Sequence, residues 1–162
     1  MARRSARLTH VDARGRVRMV DVGAKAETAR EAVATGEIRV GAAALRLVRA
    51  GAVKKGDPIQ TARLAGIMAA KRTSEIIPLC HPLPLSRIDV DIAPMRRGYR
   101  ITARVGTVAR TGVEMEALVA VSAAALALYD MLKAVDREMV IGPICVLEKR
   151  GGRSGTYMRR VK

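Results

Sequence analysis

Phenylalanine and tryptophan are missing from this sequence, and tyrosine occurs only three times. A core made without large rings must be aliphatic, drawn from Ala, Val, Leu, Ile and Met. The same shortage argues against single-strand nucleic-acid binding, which uses aromatic side chains as stacking platforms. Cysteine is scarce too. Cys80 and Cys145 are too few for a disulfide framework, so a reducing, cytoplasmic setting is expected. Two cysteines and two histidines lie too far apart in sequence to match a standard zinc spacing. No Asp/Glu cluster has a metal-like spacing either, so a protein-held metal is not expected. No apolar segment follows the basic N-terminus, which predicts no secretion signal. The longest charge-free apolar stretch, residues 117–129, is shorter than the roughly 20 residues that span a bilayer.

Acidic residues are half as numerous as basic ones, 15 against 30, giving a formal charge of +15. A surplus of that size points to an anionic partner: duplex nucleic acid, a polyphosphate, or merely solvent around an arginine-rich surface. At 162 residues the chain is expected to form a single domain spanning 1–162. Residues 1–18 read as a basic arm, and residues 150–162 as a Gly-rich basic tail.

Helix formers dominate residues 24–34, "AKAETAREAVA", which predicts a helix followed by a short strand over 37–40. Residues 42–50 read as a helix stopped by Gly51. Asp57 and Pro58 suit an N-cap and first helical position, predicting a helix to about Thr73. Strict alternation over 87–92 and 99–105 predicts an antiparallel hairpin with opposed Asp and Arg rows. Thr111 and Glu114 match a capping box before an apolar helix to about Val135. That helix is apolar on nearly every face, and its many alanines invite a second subunit. Residues 139–147 read as a last strand whose Pro143 predicts an edge or a bulge. The expected fold is α+β, a ferredoxin-like antiparallel sheet with helices packed on one face.

Three of the six prolines stand in "PLCHPLPL", residues 78–85, around Cys80 and His81. Proline forbids helix there and disfavours a sheet interior, so it fixes a non-repetitive segment at low entropic cost. A side chain held so stiffly suits a binding site, and His81 can act as donor or general acid. Cys80 reads either as a nucleophile or, more commonly, as a small buried residue. Glu116 opens an apolar run, so its carboxylate must reach solvent or a partner. Asp130 and Lys133 share a helix face, as an ion pair or as an acid–base pair at a pocket rim. Glu116 and Asp130 stand fourteen positions apart, about 21 Å along one helix. A single compact site holding both would need two subunits. Lys54 and Lys55 precede a helix start, where anions are favoured. Lys149 and Arg153, in the tail, are further candidates for phosphate contact.

Several of these stretches are long and uncommon. "IPLCHPL" (77–83), "TGVEMEAL" (111–118), "YDMLKAVD" (129–136) and "MVIGP" (139–143) resemble the cyclic pyranopterin monophosphate synthase family. "LTHVD" and "MVDVGAKAETAREA" extend the likeness over almost the whole chain. The resemblance implies a lyase of molybdenum cofactor biosynthesis. Such enzymes convert a cyclised dihydroguanosine triphosphate to cyclic pyranopterin monophosphate and release diphosphate. It also implies no protein-held cofactor, with Mg²⁺ at most accompanying the triphosphate. The implied assembly is a homohexamer, a trimer of dimers, with active sites at the dimer interface and no nucleic-acid or membrane partner. Asp130, Lys133 and Lys55 match the family's catalytic positions. Leu79, Cys80, His81, Met115 and Glu116 match its substrate contacts, and Arg30 and Lys149 match further pocket positions. Leu132 replaces a frequent family cysteine, and "KRGGRSG" replaces the more usual "KSGGKSG"; Arg for Lys at 153 keeps the charge but changes donor geometry.

Overall fold

A computed structural model of the chain describes residues 10–12 and 14–160. Most of the basic arm over 1–18 therefore lies outside the described residues, as do the last two residues of the tail. The elements run β1 (Thr28–Arg39), α1 (Ala42–Arg49), α2 (Pro58–Lys71), α3 (Thr73–Ile76), β2 (Leu85–Met95), β3 (Gly98–Ala109), α4 (Glu114–Leu132), β4 (Val140–Arg150) and β5 (Tyr157–Met158). They form one antiparallel sheet in the order β2-β3-β1-β4-β5. With β5 set aside, the β-α-β-β-α-β succession and this strand order are the ferredoxin-like arrangement expected.

The first expected helix is instead the N-terminal part of β1, the central strand. Its composition favours a helix, but its environment favours small residues on a pleated surface. Ala32, Ala34, Gly36 and Ile38 lie opposite Val105, Ala103, Ile101 and Tyr99 of β3. All of these alternating positions face the helices and are buried. A Cβ at Gly36 would stand 2.7 Å from Val121 Cγ1 of α4, so glycine there lets the helix lie directly on the sheet. Along the opposite face of β1, Glu31 meets Arg104 at 2.7 Å and Glu37 meets Arg100 at 2.9 Å. This corrects the simple Asp–Arg rows. Asp89 does lie opposite Arg104, yet it pairs with Arg87 of its own strand.

Helices α2 and α4 pack side by side on one face, where Gly66 allows close approach. A Cβ on Gly66 would meet the Ala120 carbonyl at 2.9 Å. Asp57 caps α2 as expected, accepting from the N–H groups of Ile59 (2.8 Å) and Gln60 (3.1 Å). The capping box before α4 does not form: its N-cap is Val113, with no side-chain cap bond, and Glu114 is already the first helical residue. The helix ends at Leu132, three residues short of the expected boundary. By length and composition α4 is apolar enough to cross a membrane. Its buried residues, Ala117 to Leu132, instead belong to the core beneath β1, β3 and β4. It is not covered all round: Leu126 is 62% exposed, as Leu64 is at 58% on neighbouring α2.

Pro143 interrupts β4 as foreseen. Between Ile141 and Ile144 the register against β1 slips, and the outer side of β4 is paired only at Glu148 and Lys149.

Candidate active site

The proline segment follows α3 without helix or strand over 80–84. It is pinned at both ends. Cys80 N–H donates to the Ile77 carbonyl at 3.0 Å, and Thr107 Oγ1 donates to the Pro84 carbonyl at 2.7 Å. The segment runs past the N-terminal end of α4. Leu79, Cys80, His81 and Leu83 thereby face Met115 and Glu116 across a cavity of about 290 Å³. The remaining walls come from His10, Val20, Val22 and Lys25 of the N-terminal segment and from Thr111, Gly112 and Glu114.

Glu116 is only 4% exposed. Burial pushes its carboxyl above the ordinary carboxylate range; its own backbone N–H partly opposes this, and the charge of Glu114 reinforces it. The Cys80 thiol is also pushed up, first by burial and then by the neighbouring Glu116 charge. A thiol held protonated in this way is a poor nucleophile. Cys80 is therefore a wall of the cavity rather than a reactive centre.

A second, larger cleft of about 830 Å³ shares Lys25, Thr111, Gly112 and Glu114 with the first, so the two adjoin. Arg30, Arg110, Lys149, Arg150 and Arg153 make its walls strongly cationic. Arg30 is held rigidly: Nε donates to the Ala109 carbonyl at 2.9 Å and Nη2 to the Arg110 carbonyl at 3.1 Å. Gly152, at φ 72°, leaves no room for a Cβ beside the Arg30 guanidinium. The glycines of the tail thus let the chain turn close against Arg30 while Lys149 and Arg153 enter the same cleft.

Asp130, Lys133 and Lys55 gather at the other end of α4. Lys133 Nζ lies 2.7 Å from Asp130 Oδ1. Lys55 Nζ lies 3.2 Å from Asp130 Oδ2 and 2.9 Å from the Asp130 carbonyl. Hydrogen bonds from Lys133 and then Lys55 hold the Asp130 carboxyl below its ordinary range, and Asp130 in turn raises Lys133. The α2 N-terminus is no open anion seat, because Asp57 occupies its N–H groups and Lys55 turns to Asp130.

The foreseen residues thus fall into two groups. Leu79, Cys80, His81, Met115 and Glu116 line the smaller cavity, and Arg30 and Lys149 the adjoining cleft. Asp130, Lys133 and Lys55 stand at the far end of an unbroken 19-residue helix. Lys25, Arg110 and His10 also line the cleft and were not foreseen. His10 and Lys25 had a signal, since they stand in the family-like stretches "LTHVD" and "MVDVGAKAETAREA"; Arg110 had none.

A family model described as the MoaC family matches residues 19–152. The chain belongs to the MoaC family. Among its relatives, a protein of Thermomicrobium roseum named cyclic pyranopterin monophosphate synthase is 59% identical over 156 residues, covering 95% of this chain and 94% of that protein. Proteins of the same name from Pelotomaculum thermopropionicum and from a Nostoc species are 57% and 56% identical. Each alignment covers 94% of this chain, with 91% and 92% of the respective relative. The MoaC match spans every strand and helix except β5.

Proposed function

We propose that this protein catalyses the cyclic pyranopterin monophosphate synthase reaction. (8S)-3',8-cyclo-7,8-dihydroguanosine 5'-triphosphate is converted to cyclic pyranopterin monophosphate, and diphosphate leaves. One observation carries the reading beyond the relatives' names: a small cavity lined by His81 and buried Glu116 adjoins a cleft walled by Arg30, Arg110, Lys149 and Arg153. The first offers acceptor and donor groups to the amide and amine edges of a guanine-derived ring. The second offers fixed cations to the phosphates and to the charge that grows on departing diphosphate.

Asp130, Lys133 and Lys55 move protons during ring opening and closure. Asp130 stands fourteen positions after Glu116 on α4, about 21 Å of helix. The acid–base group of a second copy therefore completes each cleft, in a homohexamer built as a trimer of dimers. The exposed Leu64 and Leu126 on adjacent helices support burial against another copy, whereas most alanines of α4 are already buried in this chain's own core. The protein holds no cofactor of its own in this reading, and Mg²⁺ arrives with the triphosphate. Both cysteines are free, which fits a cytoplasmic enzyme.

Purified protein incubated with the cyclic triphosphate is expected to release diphosphate and form the pterin product. Wild-type protein that does neither would overturn the proposal.

A further inference from the structure

The start of α4, the proline segment and the turn before α4 supply most of the ring cavity, but one wall comes from the chain ahead of the sheet. Residues 10–12 and 14–18 pair as a small hairpin ahead of the sheet. Arg18 N–H donates to the His10 carbonyl at 3.0 Å, Asp12 N–H to the Arg16 carbonyl at 2.9 Å, and Val11 bridges Val17. The Asp12 carboxylate staples the turn, accepting from the N–H groups of Arg14 (2.8 Å) and Arg16 (2.9 Å) and from Arg16 Nε (2.9 Å). Gly15 supplies the left-handed turn residue at φ 77°. The chain then returns past the cavity and is tied down where Arg110 Nη1 donates to the Gly23 carbonyl at 3.1 Å.

This hairpin places His10 in the cavity wall with His81, Cys80 and Glu116. We infer that His10 is a further substrate-contacting residue, delivered by the Asp12-stapled hairpin, that sets how tightly the purine-derived ring is held. The inference rests on the ring-cavity assignment proposed above. Three observations carry it. The side chain is solvent-exposed and its imidazole has no protein partner among the described hydrogen bonds, so nothing in the fold occupies it. Much of the wall is apolar, with Val20, Val22, Leu79, Leu83 and Met115, so each polar group there carries weight in recognition. A neutral imidazole both donates and accepts, whereas Lys25 only donates. A ring with amide and amine edges needs both kinds of partner. His10 also precedes residue 19, where the MoaC family match begins.

Steady-state kinetics on the intact protein tests this. His10→Ala is expected to raise KM for the cyclic triphosphate about five- to tenfold, the size of one lost hydrogen bond, with kcat within about twofold. His10→Gln keeps a donor and an acceptor and should recover part of that loss. Asp12→Ala loosens the hairpin and should raise KM in the same direction. In the double variant the two losses should not add, because both remove the same contact. Thermal melting should leave all four variants within about 2 °C of wild type, since the hairpin lies outside the core. An unchanged KM in His10→Ala, a melting loss without Gln rescue, or full additivity with Asp12→Ala would overturn the inference. Inactive wild-type protein would strike the proposed reaction itself, a separate outcome.

Discussion

Lys55 reaches across from the loop before α2 to cap the end of α4, its Nζ 2.9 Å from the Asp130 carbonyl and 3.2 Å from the Asp130 carboxylate. The last carbonyls of a helix lack intrahelical donors, and the helix dipole places negative potential there. An ammonium satisfies both needs. Lys133 takes the other carboxylate oxygen, so Asp130 sits between two cations while exposed to solvent.

The pH dependence follows from these partners. The folded-state pKa of Asp130 is below its ordinary 3.8, so its contribution is present above that value and is lost as pH falls through the folded one. Lys133 is raised above 10.5, so its contribution is present below that value and is lost as pH rises through the folded one. Asp130 and Lys133 therefore stay charged across the neutral range. Lys133→Met should move the Asp130 titration up toward the ordinary value, read by carboxyl-carbon NMR. Turnover should fall about 10²- to 10⁴-fold, the scale of a lost acid–base group. An unmoved Asp130 titration would break the assignment.

Glu116 behaves in the opposite sense. Its folded-state carboxyl titrates above the ordinary 4.5, chiefly through burial. The folded state binds the proton more tightly, so stability declines as pH rises through the window above 4.5. Glu116→Gln removes the cost of the buried charge. At pH 7 the variant should melt about 2–4 °C higher than wild type while losing turnover. The gain should vanish at pH 4. A variant that melts lower at neutral pH would show that the carboxylate stabilises the fold instead.

Much of this arrangement is legible in the residues themselves. Asp57-Pro58 marks α2 because capping chemistry is local, and the Ile88/Val90/Ile92 alternation marks β2 because a half-buried strand has period two. The centre of the sheet is not legible in that way. Residues 28–34 are helix formers by composition, yet β1 needs Ala32, Ala34 and Gly36 because α4 lies on them. That need arises from a packing partner some eighty residues later, which no local pattern reports. The site divides similarly. The rigid proline segment announces His81, while Arg110 becomes visible only when the cleft is assembled.

Cys80 offers an independent probe of the ring cavity. Its thiol is held protonated by burial and by the Glu116 charge, so a thiol reagent should label it slowly at pH 7.5. Neutralising Glu116 as Gln removes the second cause and should speed labelling. Bound substrate should protect Cys80 but leave Cys145 unaffected, since Cys145 lies on β4, outside the cavity walls. Equal labelling of Cys80 in both proteins would separate the thiol from the carboxylate.

Gly66 tests the packing that places α4. Alanine is worth about 1 kcal/mol over glycine in a helix interior. Here the added Cβ would also stand 2.9 Å from the Ala120 carbonyl and 3.2 Å from Val90 Cγ2, so α2 must move off α4. Overpacking of that kind costs about 1–3 kcal/mol. Gly66→Ala should therefore lower the melting temperature, and a rise would mean that the two helices have slack between them.

The proposed site draws on groups from both ends of α4, and mixed subunits can decide whether two chains supply them. Asp130→Asn and His81→Ala should each be inactive alone, the first lacking the carboxylate and the second lacking the imidazole. In an isologous pair of one of each, one cleft carries both defects and the other carries neither. Unfolding the two variants together and refolding them as an equal mixture should recover about a quarter of wild-type activity, since half the pairs are mixed and each has one intact cleft. If a single chain supplied every group, no mixture would recover activity, because each chain would keep its own defect. Recovery above the sum of the separate variants would thus establish that the 21 Å or so of helix between Glu116 and Asp130 is bridged by a second copy.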